Sequence, residues 1–182
     1  KMAAEAPEAK GYLKAFNPLT GEELWSVDHV HYWNGGVLAS AGGLVFQGDG
    51  LGYLSAFDAD TGEKIWSFNT YISMLAPPIT YQVSGVQYVA ILAGTGAVEN
   101  FVGLVTTETA AVKYGNFGKL LVFKLGGNLA LEEPRILDRS IPEQPVMMAS
   151  AEQLLRGEQQ YNLVCGGCHG ANARSAGILP DL

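Results

Sequence analysis

The residues Cys165-Gly166-Gly167-Cys168-His169 carry the most specific chemistry in this sequence. Two cysteines separated by two residues and followed directly by histidine form the attachment signature of a c-type haem. In a helical segment the two thiols can bond to the vinyl groups of haem, and the imidazole is then held beside the iron as an axial ligand. The motif therefore predicts covalent haem at Cys165 and Cys168 and an iron ligand at His169.

A zinc site or a redox dithiol is the alternative interpretation of the two cysteines. Structural zinc takes four ligands, but the other histidines, His29 and His31, lie more than 130 residues away and no further cysteine exists. Cys168 and His169 are also sequence neighbours, which is poor geometry for chelating one ion. A thioredoxin-like dithiol would follow a strand in a βαβ unit. Both alternatives fit the motif less well than haem.

A helix is predicted directly before the haem motif. Ser150 can cap its first turn, and Gln153 can close a capping box. Leu154 and Tyr161 fall on one face of this helix. Because no strand is predicted there, the setting favours haem attachment over a redox dithiol.

Composition predicts a mainly β fold with many short strands and tight turns. The 182 residues include 23 glycines, eight tyrosines and seven phenylalanines, and only 16% are charged. The net charge of −7 disfavours nucleic acid and anionic membrane surfaces as partners. The sequence contains no apolar run of about 18 residues, so no transmembrane segment is predicted.

The haem motif also predicts where the protein resides. Attachment of c-type haem takes place outside the cytoplasm, so resemblance to other c-type cytochromes implies a periplasmic location in a bacterium. The first residues, Lys1 to Glu5, lead into polar sequence without the apolar stretch of an export signal. We therefore expect the chain to be an internal or C-terminal fragment of a longer exported protein.

Residues 11–26 are repeated in residues 52–67, with ten identities in sixteen positions and no gap. The offset of 41 residues is the length of one four-stranded propeller blade. Within each copy, an alternating strand leads through a turn into a second strand. The repeat therefore predicts consecutive blades.

The turns and strands follow from local residue patterns. Asn17 or Asp58 can bond its own backbone, and Gly21 or Gly62 supplies a positive φ. Strands are predicted at 12–16, 22–27, 37–40, 44–48, 53–58, 64–69, 79–83, 87–93 and 119–124. Residues 94–116 are predicted to form a loop, and the proline-rich residues 126–149 to form a linker.

The pattern Ala-x-Asp/Asn-x-x-Thr-Gly-x-x-x-Trp, at residues 15–25 and 56–66, resembles the tryptophan docking motif of eight-bladed quinoprotein alcohol dehydrogenases. In that family the tryptophan stacks on a peptide of the neighbouring blade, so Trp25 and Trp66 are interpreted as structural. With the linker and C-x-x-C-H that follow, the whole chain resembles the quinohaemoprotein alcohol dehydrogenases. In these enzymes a propeller bearing pyrroloquinoline quinone (PQQ) is fused to a cytochrome c.

The resemblance implies a domain order. The chain would hold the last blades of an eight-bladed β-propeller, incomplete here, then a linker and the truncated α-helical start of a cytochrome c domain. The implied bounds are 1–125, 126–149 and 150–182.

A second candidate site is the single-copy segment Trp33-Asn34-Gly35-Gly36, which interrupts the repeat. An indole, an amide and two small residues suit a flat ligand rich in carbonyls, because the amide can pair with a carbonyl and glycines permit close backbone approach. The family has a similar segment near its quinone pocket, so the resemblance implies a PQQ role for Trp33 and Asn34. A turn with a core tryptophan is the alternative.

The resemblance to the family bears on four further residues. Related enzymes have a tryptophan where this chain has Thr95, but Val98 keeps the last position of that stretch, which implies a contribution to the PQQ pocket. His29 and His31 match no catalytic residue of the family and are expected at surface or edge positions.

The resemblance implies that the parent protein oxidises an alcohol substrate to an aldehyde or ketone. Electrons would pass from PQQ to haem c and on to a downstream acceptor, which is a cytochrome, a copper protein or a quinone. The family's calcium ligands, catalytic aspartate and most quinone contacts lie upstream of this chain. None of Asp28, Asp49, Asp58 or Asp60 is therefore assigned such a role, and we expect the chain to be inactive without the upstream propeller blades.

Two other functions fit parts of the sequence. A non-enzymatic propeller that acts as a scaffold or binding protein, such as the outer-membrane assembly lipoproteins with similar repeats, accounts for residues 11–125 but leaves C-x-x-C-H unexplained. An electron-transfer module that serves a separate dehydrogenase is the second. Covalent haem would argue against the scaffold.

Overall fold

Nine strands and three short helices make up the described part of the chain. The computed structural model describes residues 10–95, 109–138, 140, 143, 146–170, 173 and 182. In chain order the elements are β1 (Gly11–Phe16), β2 (Glu23–His29), β3 (Asn34–Ala39), β4 (Leu44–Asp49), β5 (Tyr53–Asp58), β6 (Lys64–Asn69), β7 (Ile79–Val83), β8 (Val86–Ala93), α1 (Ala110–Tyr114), β9 (Lys119–Lys124), α2 (Ala151–Gln160), a π-helical turn (Tyr161–Cys165) and α3 (Gly166–His169).

The strands form three antiparallel sheets whose order follows the chain. Sheet 1 pairs β1 with β2, sheet 2 has the order β3-β4-β5-β6, and sheet 3 has the order β7-β8-β9. The two copies of the sequence repeat fold alike, as the pairs β1-β2 and β5-β6. The prediction of a mainly β protein is confirmed. No helix among the described residues is long and apolar enough to cross a membrane.

Two local predictions were wrong. Strand β3 begins at Asn34 instead of Val37, so Asn34, Gly35 and Gly36 belong to sheet 2. The region 94–116, predicted as a loop, contains α1, which Thr109 caps by accepting the Val112 N–H. A helix of five residues is too short to show a helical period in the sequence.

The turns inside the repeat have the predicted chemistry. The carboxylate of Asp58 accepts the backbone N–H groups of Asp60 and Thr61 at 2.9 Å, and Asn17 plays the same part in the first copy. Hydrogen bonds from Thr61 hold the pKa of the Asp58 carboxyl below its usual range. Each turn closes on a glycine with positive φ, as predicted.

Trp25 joins sheet 1 to sheet 2. Its indole Nε1 donates to the Ala59 carbonyl at 2.9 Å. The ring lies against Gly62, where a Cβ atom would stand only 2.7 Å from the indole Cε3. Trp66, the same position of the second copy, packs instead beside Phe68 and edge-on to Phe123. Both indoles are therefore packing residues, as the repeat implied.

The core lies between sheets 2 and 3. Phe123 of β9 meets Phe68 of β6 edge-on, with ring centroids 5.2 Å apart. The residues buried in this core come from both sheets and from the chain between them: Leu54, Ile72, Met74, Ile91 and Ala93. Burial of the leucine, isoleucine and methionine side chains contributes about 1.5–3 kcal/mol each, so this contact fixes the third sheet on the second.

Gly62 and Gly21 offer a matched test of the tryptophan docking. Both have nearly the same positive φ, +74° and +73°, but only Gly62 has atoms within 4 Å of an added Cβ. Gly21→Ala should cost about 1 kcal/mol of unfolding free energy from the left-handed backbone alone, whereas Gly62→Ala should cost about 2–4 kcal/mol because it also displaces Trp25. Urea unfolding of the two variants measures the difference; equal losses would show that the docking contributes nothing.

Candidate functional site

The haem motif lies at the end of a continuous helical segment. Before α2, the Ser150 hydroxyl accepts the Gln153 N–H, and the Gln153 side chain accepts the Ser150 N–H at 2.8 Å. The predicted capping box is confirmed. The segment continues through the π-helical turn, which ends at Cys165, into α3, which carries Cys168 and His169.

The surroundings of the motif are open and apolar. Cys165 is half-buried and Cys168 exposed, and neither forms a disulfide. Leu163 and Val164, directly before the motif, are largely exposed. The Tyr161 hydroxyl donates to the Gly170 carbonyl at 2.8 Å and so ties the two ends of the motif together. Within the described ranges, no three His, Cys, Asp or Glu side chains gather as metal ligands.

The second candidate site is built on a β-bulge at the start of β3. Asn34 lies opposite Asp49 and Val37 opposite Gln47, so β3 carries one residue more than β4 between these pairs. Bulges bend a strand and re-aim its side chains, and they are common next to functional sites. Here the bulge falls within the segment that the sequence singled out.

The bulge packs tightly because its residues are glycines. A Cβ atom on Gly35 would lie 2.9 Å from the Gly48 carbonyl oxygen. The Gly35 carbonyl accepts from Gln47 Nε2 at 2.8 Å, and the Gly36 N–H donates to the Leu75 carbonyl at 3.2 Å. The backbone of the bulge is therefore held from two sides.

Asn34 presents a buried hydrogen-bond acceptor. Its Nδ2 donates to the His31 carbonyl at 2.6 Å, but its Oδ1 is buried and has no hydrogen-bond partner in the described part of the chain. Leaving such an atom unpaired costs about 1–3 kcal/mol. The sequence predicted an amide that donates to a ligand carbonyl, whereas the unpaired atom is an acceptor and suits a ligand with an N–H or O–H group.

The two histidines were expected at surface or edge positions. This prediction is wrong for His31, which is buried, and holds only in part for His29, which is half-buried at the end of an outer strand. His31 is only 5% exposed, stacks on Tyr32 and accepts the Trp33 N–H at its Nδ1. His29, half-buried at the end of β2, has its Nε2 2.9 Å from Gln47 Oε1. Both lie beside the bulge because β2 of sheet 1 ends against sheet 2. The hydrophobic pattern of one strand does not reveal which of its residues another sheet buries.

No role was assigned to Asp49 from the sequence, and Gln47 was not singled out, although both lie beside the bulge. Gln47 is buried, and its position among apolar residues of β4 was the available signal. The Asp49 carboxylate accepts the Tyr53 N–H at 2.8 Å. Burial raises the pKa of the Asp49 carboxyl, although backbone hydrogen bonds and the nearby His29 act in the opposite direction.

The segment that carries Val98 leaves the described structure close to the bulge. Val98 itself lies outside the described residues. Gly94 pairs with Met74, whose carbonyl lies 3.3 Å from the position of a Gly35 Cβ. Thr95 is buried, and its N–H donates to the Asn116 side chain at 3.1 Å.

The burial of Asp49 predicts an unusual pH dependence. A raised carboxyl pKa contributes stability below the ordinary pKa, and this stability is lost as the pH rises through the folded-state value. Asp49→Asn, which keeps an acceptor for Tyr53, should therefore be most stabilising relative to the parent at neutral pH, and the gain should vanish towards about pH 4.

Asp58→Asn is the matched control with the opposite sign. Its lowered pKa means that stability is present above the ordinary pKa and is lost as the pH falls. This variant should be less stable than the parent at neutral pH and equal to it in acid. Urea midpoints measured across the pH range test both, and parallel curves for the two variants would contradict the assignment.

Comparison with known proteins identifies relatives along almost the whole chain. Residues 9–94 match the PQQ_2 family, described as outer membrane protein assembly factor BamB. Quinohaemoprotein alcohol dehydrogenase ADH IIB of Pseudomonas putida is 38% identical over 99% of this chain. Lupanine 17-hydroxylase [cytochrome c] of a Pseudomonas species is 40% identical over 96% of it.

The fold agrees with a solved structure of the same group. Quinohaemoprotein alcohol dehydrogenase ADHIIG from Pseudomonas putida HK5 superposes with a TM-score of 0.83, at 38% identity over 94% of this chain and 25% of that one. The chain spans about a quarter of the length of the curated relatives it matches, 26% for ADH IIB and 25% for the lupanine enzyme. The resemblance inferred from the docking motif and C-x-x-C-H is thus confirmed. This chain is homologous to a segment that makes up about one quarter of the length of quinohaemoprotein alcohol dehydrogenases.

Proposed function

We propose that this chain is part of a PQQ- and haem c-dependent dehydrogenase that oxidises an alcohol to an aldehyde or ketone and passes the electrons from quinone to haem. One observation carries the proposal: the bulge that follows Trp33 and Asn34 and a C-x-x-C-H helix occur in a single chain, 99% of which aligns with ADH IIB. Each feature alone fits other proteins. Their combination fits an enzyme that couples a quinone to a haem.

The residues of the bulge fit a flat polar quinone. The half-buried indole of Trp33 offers a surface for stacking, and the buried Oδ1 of Asn34 can accept a hydrogen bond from the pyrrole N–H of PQQ. Close backbone packing at Gly35 leaves no room for a side chain on that side of the bulge. When bound, PQQ supplies the two-electron acceptor for the alcohol. Val98 is proposed to line the same pocket on the strength of the family resemblance.

The helix around the haem motif fits covalent attachment. Both thiols can be reached, and the exposed Leu163 and Val164 offer apolar surface for a porphyrin. Cys165 and Cys168 would hold the haem and His169 would ligate its iron. When bound, haem c supplies a one-electron carrier.

The remaining parts of the enzyme are proposed to lie outside this chain. These are the calcium ligands, the catalytic aspartate and the upstream blades of an eight-bladed propeller. Within this chain, residues 1–125 would belong to the propeller, residues 126–149 would form the linker, and residues 150–182 would begin the cytochrome c domain. The proposed location is the bacterial periplasm, where a cytochrome, a copper protein or a quinone would accept the electrons.

A second candidate function is a non-enzymatic scaffold. The match of residues 9–94 to a family described as an outer membrane assembly factor favours it. That match ends before the linker and the C-x-x-C-H helix. Covalent haem therefore separates the two functions.

Haem attachment can be tested on this chain directly. Co-expressed with a haem-attachment system, it should carry haem that survives acid acetone extraction and denaturing electrophoresis, because thioether bonds are covalent. Cys165→Ala/Cys168→Ala should lose all covalent haem. Gly167→Ala, at an open position between the cysteines, should keep it. A parent chain without a haem band would favour the scaffold.

The dehydrogenase activity is tested in the complete reading frame that contains this chain. Loaded with PQQ and calcium, the complete protein should oxidise alcohols and reduce an artificial electron acceptor, while the 182-residue chain alone should not. Failure of the fully loaded protein across primary, secondary and cyclic alcohols would refute the enzyme. Turnover by the isolated chain would refute the requirement for upstream blades.

A further inference from the structure

Gln47 connects two sheets through both ends of its buried amide. Its Nε2 donates to the Gly35 carbonyl in the bulge at 2.8 Å, and its Oε1 lies 2.9 Å from Nε2 of His29 on β2. The side chain is 8% exposed. When one partner of a buried hydrogen bond is removed, the remaining donor or acceptor is left unsatisfied, which costs free energy. Both contacts of the Gln47 amide therefore contribute to holding it in place.

The direction of this relay follows from hydrogen-bond chemistry. A carbonyl oxygen only accepts, so the amide nitrogen of Gln47 faces Gly35 and its oxygen faces His29. Because that oxygen also only accepts, the hydrogen between the two side chains sits on Nε2 of His29. The Gly35 carbonyl therefore determines which way the Gln47 amide points, and the N–H of His29 holds the amide oxygen in that orientation.

The relay holds one peptide group of the bulge. The carbonyl of Gly35 and the N–H of Gly36 belong to the same peptide, and a bulge leaves such groups outside the regular ladder. Gln47 binds this peptide at its oxygen, and the Leu75 carbonyl binds it at its nitrogen. Glycine has wide backbone freedom, so these two bonds determine the orientation of the chain directly after Asn34.

We propose that Gln47, held in place by a hydrogen bond from His29, is a positioning residue that clamps the Gly35–Gly36 peptide and thereby aims the Asn34 amide at the quinone. The inference rests on the proposed function and adds two residues to its site. Gln47 does not touch the ligand in this scheme. It acts through the backbone, so its loss should loosen the bulge before it changes any contact with PQQ.

The test uses the complete protein that contains this chain, freed of quinone and titrated with PQQ in the presence of calcium. Quenching of tryptophan fluorescence reports binding. Gln47→Met, which keeps the volume, and Gln47→Glu, which cannot donate to Gly35, should each weaken PQQ binding about tenfold, since a lost hydrogen bond of ordinary strength corresponds to roughly that factor. His29→Leu should weaken PQQ binding by a similar factor. His29→Gln, which keeps an N–H donor at this position, should retain most of the parent's PQQ affinity.

Gln82→Leu is the matched control. Gln82 Nε2 also donates to a glycine carbonyl, that of Gly85 at 3.3 Å, but in the exposed turn between β7 and β8. This variant should bind PQQ like the parent. Hydrogen exchange of the Gly36 amide is the second readout and needs no cofactor: it should accelerate about tenfold in the Gln47 variants and in His29→Leu, and stay unchanged in Gln82→Leu.

The outcomes separate the two proposals. If the parent binds PQQ and both Gln47 variants bind it within twofold, the positioning role is wrong. If the Gln47 variants merely lower the thermal midpoint, with Gly36 exchange and PQQ affinity unchanged, Gln47 is an ordinary packing residue and the inference also fails. If the parent itself does not bind PQQ, the proposed function fails, and unchanged Gly36 exchange would then refute the clamp independently.

Discussion

Backbone packs directly on backbone where the sheets converge, and this constraint governs the candidate quinone site. A Cβ on Gly11 would lie 2.3 Å from the His31 carbonyl oxygen, and one on Gly35 would lie 2.9 Å from that of Gly48. No side chain fits between these strands. Consequently, regular strand pairing cannot provide hydrogen-bond partners for all backbone N–H and C=O groups here, and side chains bind the remaining ones.

Those side chains form a nearly complete set of hydrogen bonds. Gln47 binds the Gly35 carbonyl, and the Ser73 hydroxyl donates to the Gly50 carbonyl at 2.6 Å while accepting the Ala111 N–H. Asn34 Oδ1 is the exception among the described residues. Where the other described buried side-chain polar atoms have partners, one buried acceptor without a partner stands out energetically. This contrast, more than the identity of the residue, supports a ligand at the bulge.

Local signals predicted the strands and failed where the sheets meet. The bounds of β5 to β7, the Asp58 turn and the Ser150 capping box depend on neighbours in sequence, and each was predicted correctly. The buried position of His31 and the bulge depend on contact between sheet 1 and sheet 2. A pair of glycines also erases the alternating pattern, which is why Gly35 and Gly36 looked like an interruption. The residues that orient the site were thus the hardest to find.

The linker is tied to the same end of the sheets. Glu133 accepts hydrogen bonds from the Tyr114 hydroxyl at 2.5 Å and from Lys113 at 3.3 Å, and the Leu137 N–H donates to the Lys113 carbonyl. Helix α1, which supplies these partners, in turn donates from Ala110 to the Gly50 carbonyl. A set of hydrogen bonds therefore connects Glu133 and Leu137, through α1, to the strand end beside Asn34. Under the proposed function, the chain that leads to the haem segment is thus anchored, at Glu133 and Leu137, on the same scaffold that holds the bulge.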